Sequence, residues 1–266
     1  MFDTHLHLVN EEYDDIGRVI DDAAESGVLY LIIGGCSKED NASNIDLCKE
    51  YNNLFVTVGY HPSEIDNLND SDFLLLEKQI LNNKDKILGI GEIGLDYHYG
   101  KEDRILQIEV FKKQLSIAKK YELPVVIHTR DAMQETYDIL KNSGVKGIIH
   151  CFSGSKEMAD KFIELGFYLG IGGVVTFSNS KLGDVVREID LSHIVLETDS
   201  PYLSPFRSEK NEPKNIKIIA EKIASIKNVS LDDVAKITSN NVIGLFDLND
   251  KIWYYFSSWG DLFWII

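Results

Sequence analysis

Two hydrophobic patterns alternate along the chain. Runs such as LYLIIGG and KGIIHCF are apolar at nearly every position. Strands buried on both faces have this composition, as in a parallel sheet covered by helices. Between the runs, apolar residues return every three or four positions, the spacing of a helix with one buried face. The pattern predicts strands over residues 1–8, 29–35, 54–60, 87–93, 124–128, 147–151, 167–172 and 194–199. It predicts helices over 14–26, 38–51, 72–82, 104–121, 133–142, 156–165, 181–189, 214–226 and 231–238. In the helix over 104–121, Ile105, Ile108, Phe111, Leu115 and Ala118 form the expected apolar stripe. Ser155 is an expected N-cap, and Gly166 an expected stop, for the helix over 156–165. Eight strands, each followed by a helix, imply an α/β fold closed as a (β/α)8 TIM barrel. An open doubly wound sheet is the rival, but no GxGxxG follows the first strand.

Length adds little, because 266 residues suit one barrel or two smaller domains. No linker or repeat divides the chain, so residues 1–250 read as a single domain. Residues 251–266 differ: KIWYYFSSWGDLFWII holds all three tryptophans. It is too short and interrupted to span a bilayer. It reads either as a sequence foreign to the main fold, such as an altered reading frame would produce, or as a packing or partner segment; composition does not decide.

Three cysteines without CxxC spacing fit a reducing compartment better than a disulfide scaffold. With no basic apolar leader and no long apolar run, the expectation is a cytoplasmic protein outside the membrane. The formal charge of −16 argues against a broad basic groove for nucleic acid. It is compatible with a nucleic-acid substrate held by metal ions and a few local cations, and carboxylates that bind metal add to the negative count.

Charge also draws attention to where polar residues interrupt the apolar runs. In a barrel, side chains at the C-terminal strand ends surround the active site. His5 and His7 end the first predicted strand, His61 follows the third, and Glu92 lies in the fourth. His128 ends the fifth, His150 the sixth, and Glu197 and Asp199 the eighth. His98 and His193 lie elsewhere. Residues two apart in a strand share a face, so Asp3, His5 and His7 point one way. A lone histidine on an apolar strand is ordinarily a hydrogen-bonded core residue. Several converging on one strand end weaken that explanation. Glu92, among apolar and glycine neighbours, needs a cation beside it.

Such a set suits Zn²⁺, Mn²⁺ or Fe²⁺, and a carboxylate-rich site also takes Mg²⁺. There are enough ligands for two ions. Glu92 could bridge them, with His5, His7 and Asp199 on one and His128 and His150 on the other. Glu197 shares Asp199's face as an outer partner or core ion-pair member. Asp3 is expected to bond backbone rather than metal.

The motifs DTHLH, GYHP, GEIGLDY, HTRDA, HCFSG and LETDSPYL together resemble, in order, those of the TatD family of metal-dependent deoxyribonucleases. The resemblance runs from Met1 to about Phe246. It implies a barrel of the metallo-dependent hydrolase type holding two divalent metal ions (Mg, Mn or Zn). The implied ligands are His5, His7, Glu92, His128, His150 and Asp199, with His61 next to the substrate. One departure lies in SPFRSEKNEP, where Ser208 and Glu209 stand at positions commonly Gly and a base. Arg207 and Lys210 remain.

The expected reaction is hydrolysis of DNA phosphodiester bonds, with single-stranded DNA as substrate. Asp199 would accept the water's proton, Glu92 and His61 would join it in catalysis, and His61, Arg130 and Arg207 would bind the substrate. Each has a plainer explanation: an ion pair of Arg130 with Asp131 or Glu135, or His61 packed on Pro62. Tyr97, Tyr99 and Tyr202 are loop tyrosines that stack on a base or simply pack. Cys151, on the opposite face from His150 in a regular strand, is expected to pack. Two other functions stay open. One is hydrolysis of a small amide, ester or lactone by an amidohydrolase-like enzyme; many of these bridge their metals with a modified lysine where this chain has Glu92. The other is metal binding without turnover.

Overall fold

The computed structural model of the chain describes residues 1–9, 11–98, 103–249 and 251–252. Tyr99 and nearly all of the aromatic tail lie outside the described residues. Eight parallel strands follow one another in sheet order: β1 (Phe2–Leu6), β2 (Tyr30–Gly34), β3 (Leu54–Val58), β4 (Ile87–Asp96), β5 (Val125–Arg130), β6 (Gly147–Ile149), β7 (Phe167–Ile171) and β8 (Ile194–Leu196). The helices are α1 (Ile16–Glu25), α2 (Lys38–Glu50), α3 (Asp70–Asn82), α4 (Arg104–Lys120), α5 (Met133–Leu140), α6 (Lys156–Glu164), α7 (Leu182–Glu188), α8 (Ile216–Lys227) and α9 (Leu231–Phe246). The seam between β8 and β1 is drawn together by Thr4 Oγ1 donating to Leu196 O at 3.0 Å and Asp199 N donating to His5 O at 2.9 Å. This is the (β/α)8 barrel that the apolar pattern predicts. No helix among the described residues is long and apolar enough to cross a membrane.

Two apolar layers hold the barrel. The larger packs the outer faces of the strands against the helices. The smaller includes Tyr30, Ile32, Phe55, Leu88, Val126, Ile148 and Val195, closed off by Val242 and Phe246 of α9 and by Leu248 just beyond it. Val126, Ile148 and Val195 lie two residues before His128, His150 and Glu197, and so share their strand face. Beneath the polar cluster, then, the barrel interior is lined by apolar side chains. That layer supports the site and keeps solvent to its open end.

β4 runs on to Asp96, past its expected end at residue 93, and three other departures from expectation have a visible cause. The stripe on α4 is turned about the helix axis: Ile105 is 72% exposed, while Gln107 and Gln114 are buried. The two amides explain the turn. Gln107 accepts from Asp96 N at 2.9 Å and donates to Asp96 O at 2.9 Å. Gln114 does the same for Tyr60, at 2.8 and 3.0 Å. A buried amide that satisfies both backbone groups costs little, and here it fixes strand ends beside the site. Second, β8 stops at Leu196, and Asp199 has a left-handed φ of 56°. Third, α9 continues beyond Thr238 through a polar TSNN stretch. Thr238 bonds back to Val234 O, and Asn241 donates to Leu191 O and Ile194 O. Tertiary contacts outweigh the weak local preference of these residues for non-helical conformations.

Candidate metal centre

The ends of β1, β3, β4, β5, β6 and β8 bring the predicted residues into one buried cluster. Glu92 is its centre, with its side chain 5% exposed. Its Oε2 lies 3.3 Å from His5 Nε2 and 3.9 Å from His7 Nε2. Its Oε1 lies 2.7 Å from His128 Nδ1, 3.7 Å from His150 Nε2 and 3.8 Å from His61 Nε2. Asp199 Oδ1 closes the other side, 3.6 Å from His7 Nε2, 3.7 Å from His150 Nε2 and 3.9 Å from His5 Nε2. Between β1 and β6, the rings of His5 and His150 are 3.8 Å apart. Gly34 makes room for this: a Cβ there would stand 2.5 Å from His5 Cε1.

Outer partners orient several of these rings. His150 Nδ1 faces the fully buried Glu197 at 3.1 Å, which leaves Nε2 turned to the cluster. Gly170 leaves space for that carboxylate, since a Cβ there would collide with it. His128 lies between two carboxylates, with Nδ1 on Glu92 and Nε2 3.1 Å from Asp96. Ser63 N–H donates to His61 Nδ1 at 3.1 Å, so the His61 proton is assigned to Nε2, the nitrogen facing Glu92. Cys36 Sγ is 3.9 Å from His7 Nδ1. Such partners set the tautomer of a ligating imidazole.

Charge follows from this packing. Burial disfavours the ionised form of Glu92, but His150, His5 and His61 overcome it and hold the carboxyl well below the usual range. Asp199 is likewise lowered, by His150 and His7 against the cost of burial. Burial also opposes a charged His150, yet Glu197, Glu92 and Asp199 raise it to about 10. His128 rises to about 9 against burial, through Asp96 and Glu92. His61 moves the other way, to about 4, because burial outweighs Glu92 and His128 adds repulsion.

Four residue groups offer ligand atoms within 4.8 Å of one another around this centre: His5, His7 and Asp199; His5, Glu92 and His150; His61, Glu92 and His128; and, with a thiol, His7, Cys36 and Glu92. Nitrogen and oxygen donors converge on a buried point with no lysine or arginine among them. That donor set fits divalent cations.

Other expectations fare differently. Asp3 stays outside the cluster: it accepts from Thr198 N at 2.9 Å and Thr198 Oγ1 at 2.5 Å, joining β1 to the end of β8. Cys151 has a left-handed φ of 49°, so the regular alternation that would turn it away is broken, and its sulfur comes near His150 and Glu197. Arg130 ends β5 in register with Asp96. Arg130 contributes to lowering the Asp96 carboxyl, while Asp131 contacts His98 at 2.9 Å and Glu135 accepts from Tyr97 Oη at 2.7 Å. Arg207 is exposed in the loop after β8. Ser208, next to it, has a φ of 65°, in the region that favours glycine. Asp96 joins the site as the outer partner of His128, a residue the strand-end pattern does not single out. Its signal is its position: four residues after Glu92, on the same face of a regular strand, inside GEIGLDY.

A (β/α)8 barrel with a histidine–carboxylate cluster at its C-terminal strand ends defines a metal-dependent hydrolase. A family model described as "TatD related DNase" matches residues 2–247. The chain belongs to this family. The metal-dependent hydrolase YabD of Bacillus subtilis, named as uncharacterized, is 38% identical over 256 residues, covering 94% of this chain and 100% of that protein. The crystal structure of YjjV, a TatD homologue from Escherichia coli, has a TM-score of 0.87 at 28% identity, covering 93% of this chain and 98% of that one. A TatD family hydrolase from Entamoeba histolytica has a TM-score of 0.85 at 25% identity, with 92% and 97% covered.

Proposed function

We propose that the enzyme hydrolyses phosphodiester bonds of single-stranded DNA, using two divalent ions of the Mg, Mn or Zn type. The observation that carries this reading is the division of the Glu92 carboxylate. Oε2 faces His5 and His7, whereas Oε1 faces His128, His150 and His61. One carboxylate serving two imidazole groups suits a bridging ligand. His5, His7 and Asp199 would hold one ion, and His128 and His150 the other. His150 also touches Asp199, so it stands between the two groups. Bound divalent ions would polarise the phosphoryl group and lower the pKa of a water.

The chain's own groups do the rest. Asp199 is ionised and takes the proton of the attacking water. His61, neutral with its proton on Nε2, donates to a phosphate oxygen. Asp96 and Glu197 fix the His128 and His150 rings through their outer nitrogens. Arg130, at the end of β5, and Arg207, in the loop after β8, would neutralise phosphate oxygens. A glutamate at position 92, rather than a lysine, favours this chemistry over the amidohydrolase-like alternative.

The test is incubation of the purified protein with Mg²⁺, Mn²⁺ or Zn²⁺ and single-stranded DNA, with and without a chelator. Cleavage that the chelator stops is expected. Hydrolysis of small esters, amides or lactones with DNA left intact would overturn the reading, and metal binding without turnover of either would point to a non-catalytic protein.

A further inference from the structure

The loop between Ser200 and Asn211 is pinned at its neck and apolar at its tip. Asn211 is fully buried. Its backbone N donates to Pro201 O at 3.0 Å, and its amide donates to Thr198 O at 2.8 Å and Tyr202 O at 2.7 Å. Tyr13 Oη donates to Asn211 O at 2.9 Å. His7 N donates to Ser200 O at 2.7 Å, so the neck is tied directly to a residue of the metal centre. Asparagine suits this position because one side chain satisfies two carbonyls while its own oxygen accepts from Asn215 at 2.9 Å.

The fixed neck holds up what a surface loop normally hides. Tyr202 is 58% exposed, Leu203 36% and Phe206 44%. Val9, just after His7, is 37% exposed. Four of the ten large apolar residues this exposed among the described residues therefore stand on the two segments that carry His7 and Asp199. Leu203 also has a left-handed φ of 51°, and its carbonyl sits where only a glycine, Gly173, leaves room. Apolar surface held open by strained backbone beside a reactive centre is a mark of a binding site.

The neighbouring charges limit what can bind. Lys210 is engaged by Glu12 at 3.0 Å. Arg207 is exposed with no ion pair among the described residues. One such cation in the loop that carries Tyr202 and Phe206, on a chain of net charge −16, supplies little general attraction for a polyanion. Stacking does not depend on net charge, and every nucleobase offers a flat face once it is outside a duplex. The Tyr202 ring meets the His7 ring edge-on, at 6.1 Å and 65°.

We propose that Tyr202 and Phe206, with Leu203 and Val9 beside them, form a stacking subsite for an unpaired nucleobase next to the scissile phosphate. This rests on the phosphodiesterase reading and adds to it the residues that would grip an exposed base of the strand. The subsite needs no sequence, only an unstacked base.

Binding is tested with Mn²⁺ and short single-stranded phosphorothioate oligonucleotides, which resist cleavage, carrying either a fluorescent purine analogue or an abasic nucleotide. Wild type and Tyr202→Phe should quench the analogue. Tyr202→Ala and Phe206→Ala should each bind the base-bearing strand about tenfold more weakly. All should bind the abasic strand alike, and Leu74→Ala, an exposed leucine on α3, should match wild type throughout. Equal affinity of Tyr202→Ala for the base-bearing strand overturns the proposal. So does an equal loss on the abasic strand, or a concentration-dependent dimer that Phe206→Ala abolishes without any quenching in wild type. Cleavage of ordinary DNA is followed in parallel. Quenching without cleavage leaves the subsite standing and removes the phosphodiesterase reading; cleavage indifferent to both aromatics does the reverse.

Discussion

Replacing Gly34 by alanine tests whether His5 belongs to the metal centre through its position. The new Cβ would stand 2.5 Å from His5 Cε1, 3.0 Å from Nε2 and 3.1 Å from Nδ1. Carbon atoms pack at about 3.5–4.0 Å, so the ring must retreat by roughly 1 Å. It has little room, being 1% exposed with the His150 ring already 3.8 Å away. Metal–ligand distances tolerate only about 0.2 Å. The affinity for divalent metal should therefore fall by about 10–100-fold, or roughly 1.4–2.7 kcal/mol, the usual effect of disturbing a ligand's support. Competition of Zn²⁺ or Mn²⁺ against a fluorescent chelator measures this, with the thermal midpoint of the metal-free protein recorded alongside. Overpacking alone predicts a lower midpoint at unchanged metal affinity. Gly183→Ala is the control. In α7 its nearest atom would be Ile226 Cδ1 at 3.4 Å, so it should leave affinity unaltered. Wild-type metal affinity in Gly34→Ala would refute the placement of His5 in the centre.

Ser208→Gly should raise stability by about 1 kcal/mol, because Ser208 holds a φ of 65° that glycine adopts freely; the melting midpoint should rise by roughly 2–4 °C, and a fall would show that the side chain supports the loop. Asp199→Asn should lower kcat on DNA by roughly 10²–10⁴-fold with the circular dichroism spectrum preserved, and near-normal turnover would remove Asp199 as proton acceptor. In metal-free protein, His150 and His128 are raised to about 10 and about 9 from the ordinary 6.5. Their contribution to folding is fully present below about pH 6.5 and lost as pH rises through 9 and 10, so the melting midpoint of chelator-treated protein should drop between pH 7 and 10. Ligating imidazoles are neutral, so metal binding near pH 7 should release protons, counted by calorimetry in buffers of different ionisation enthalpy.

Much of the fold is legible because a parallel barrel writes itself in long apolar runs. LYLIIGG and KGIIHCF leave no polar face for solvent, and the strands they form are buried throughout. Boundaries are less legible where side chains replace backbone pairing. The eighth predicted strand runs to Asp199, but the ladder ends at Leu196 because Thr198 turns its backbone N–H and hydroxyl to Asp3. The stripe on α4 is misplaced because hydropathy scores glutamine as solvent-facing. Gln107 and Gln114 are buried for a reason hydropathy does not contain: each amide completes the hydrogen bonding of one backbone residue, Asp96 at the end of β4 and Tyr60 just after β3.

The candidate site divides along the same line. Histidines interrupting apolar strands stand out by contrast, and strand order brings them to one end of the barrel. Their outer partners do not stand out. Glu197 shares Asp199's parity and was open to either role; only its 3.1 Å approach to His150 Nδ1 places it behind the ring. Asp96 looks like an ordinary acid at a strand end, beside Tyr97 and His98. Its role depends on three things that composition alone does not supply. β5 must pair in register with β4, which sets Asp96 opposite Arg130 and Gly94 opposite His128. The His128 ring must span from Glu92 to Asp96. And Gln107 must fix the Asp96 backbone. A side chain that touches reacting groups is visible as a chemical anomaly in its strand. A side chain that holds another in place is visible only once the strands are paired.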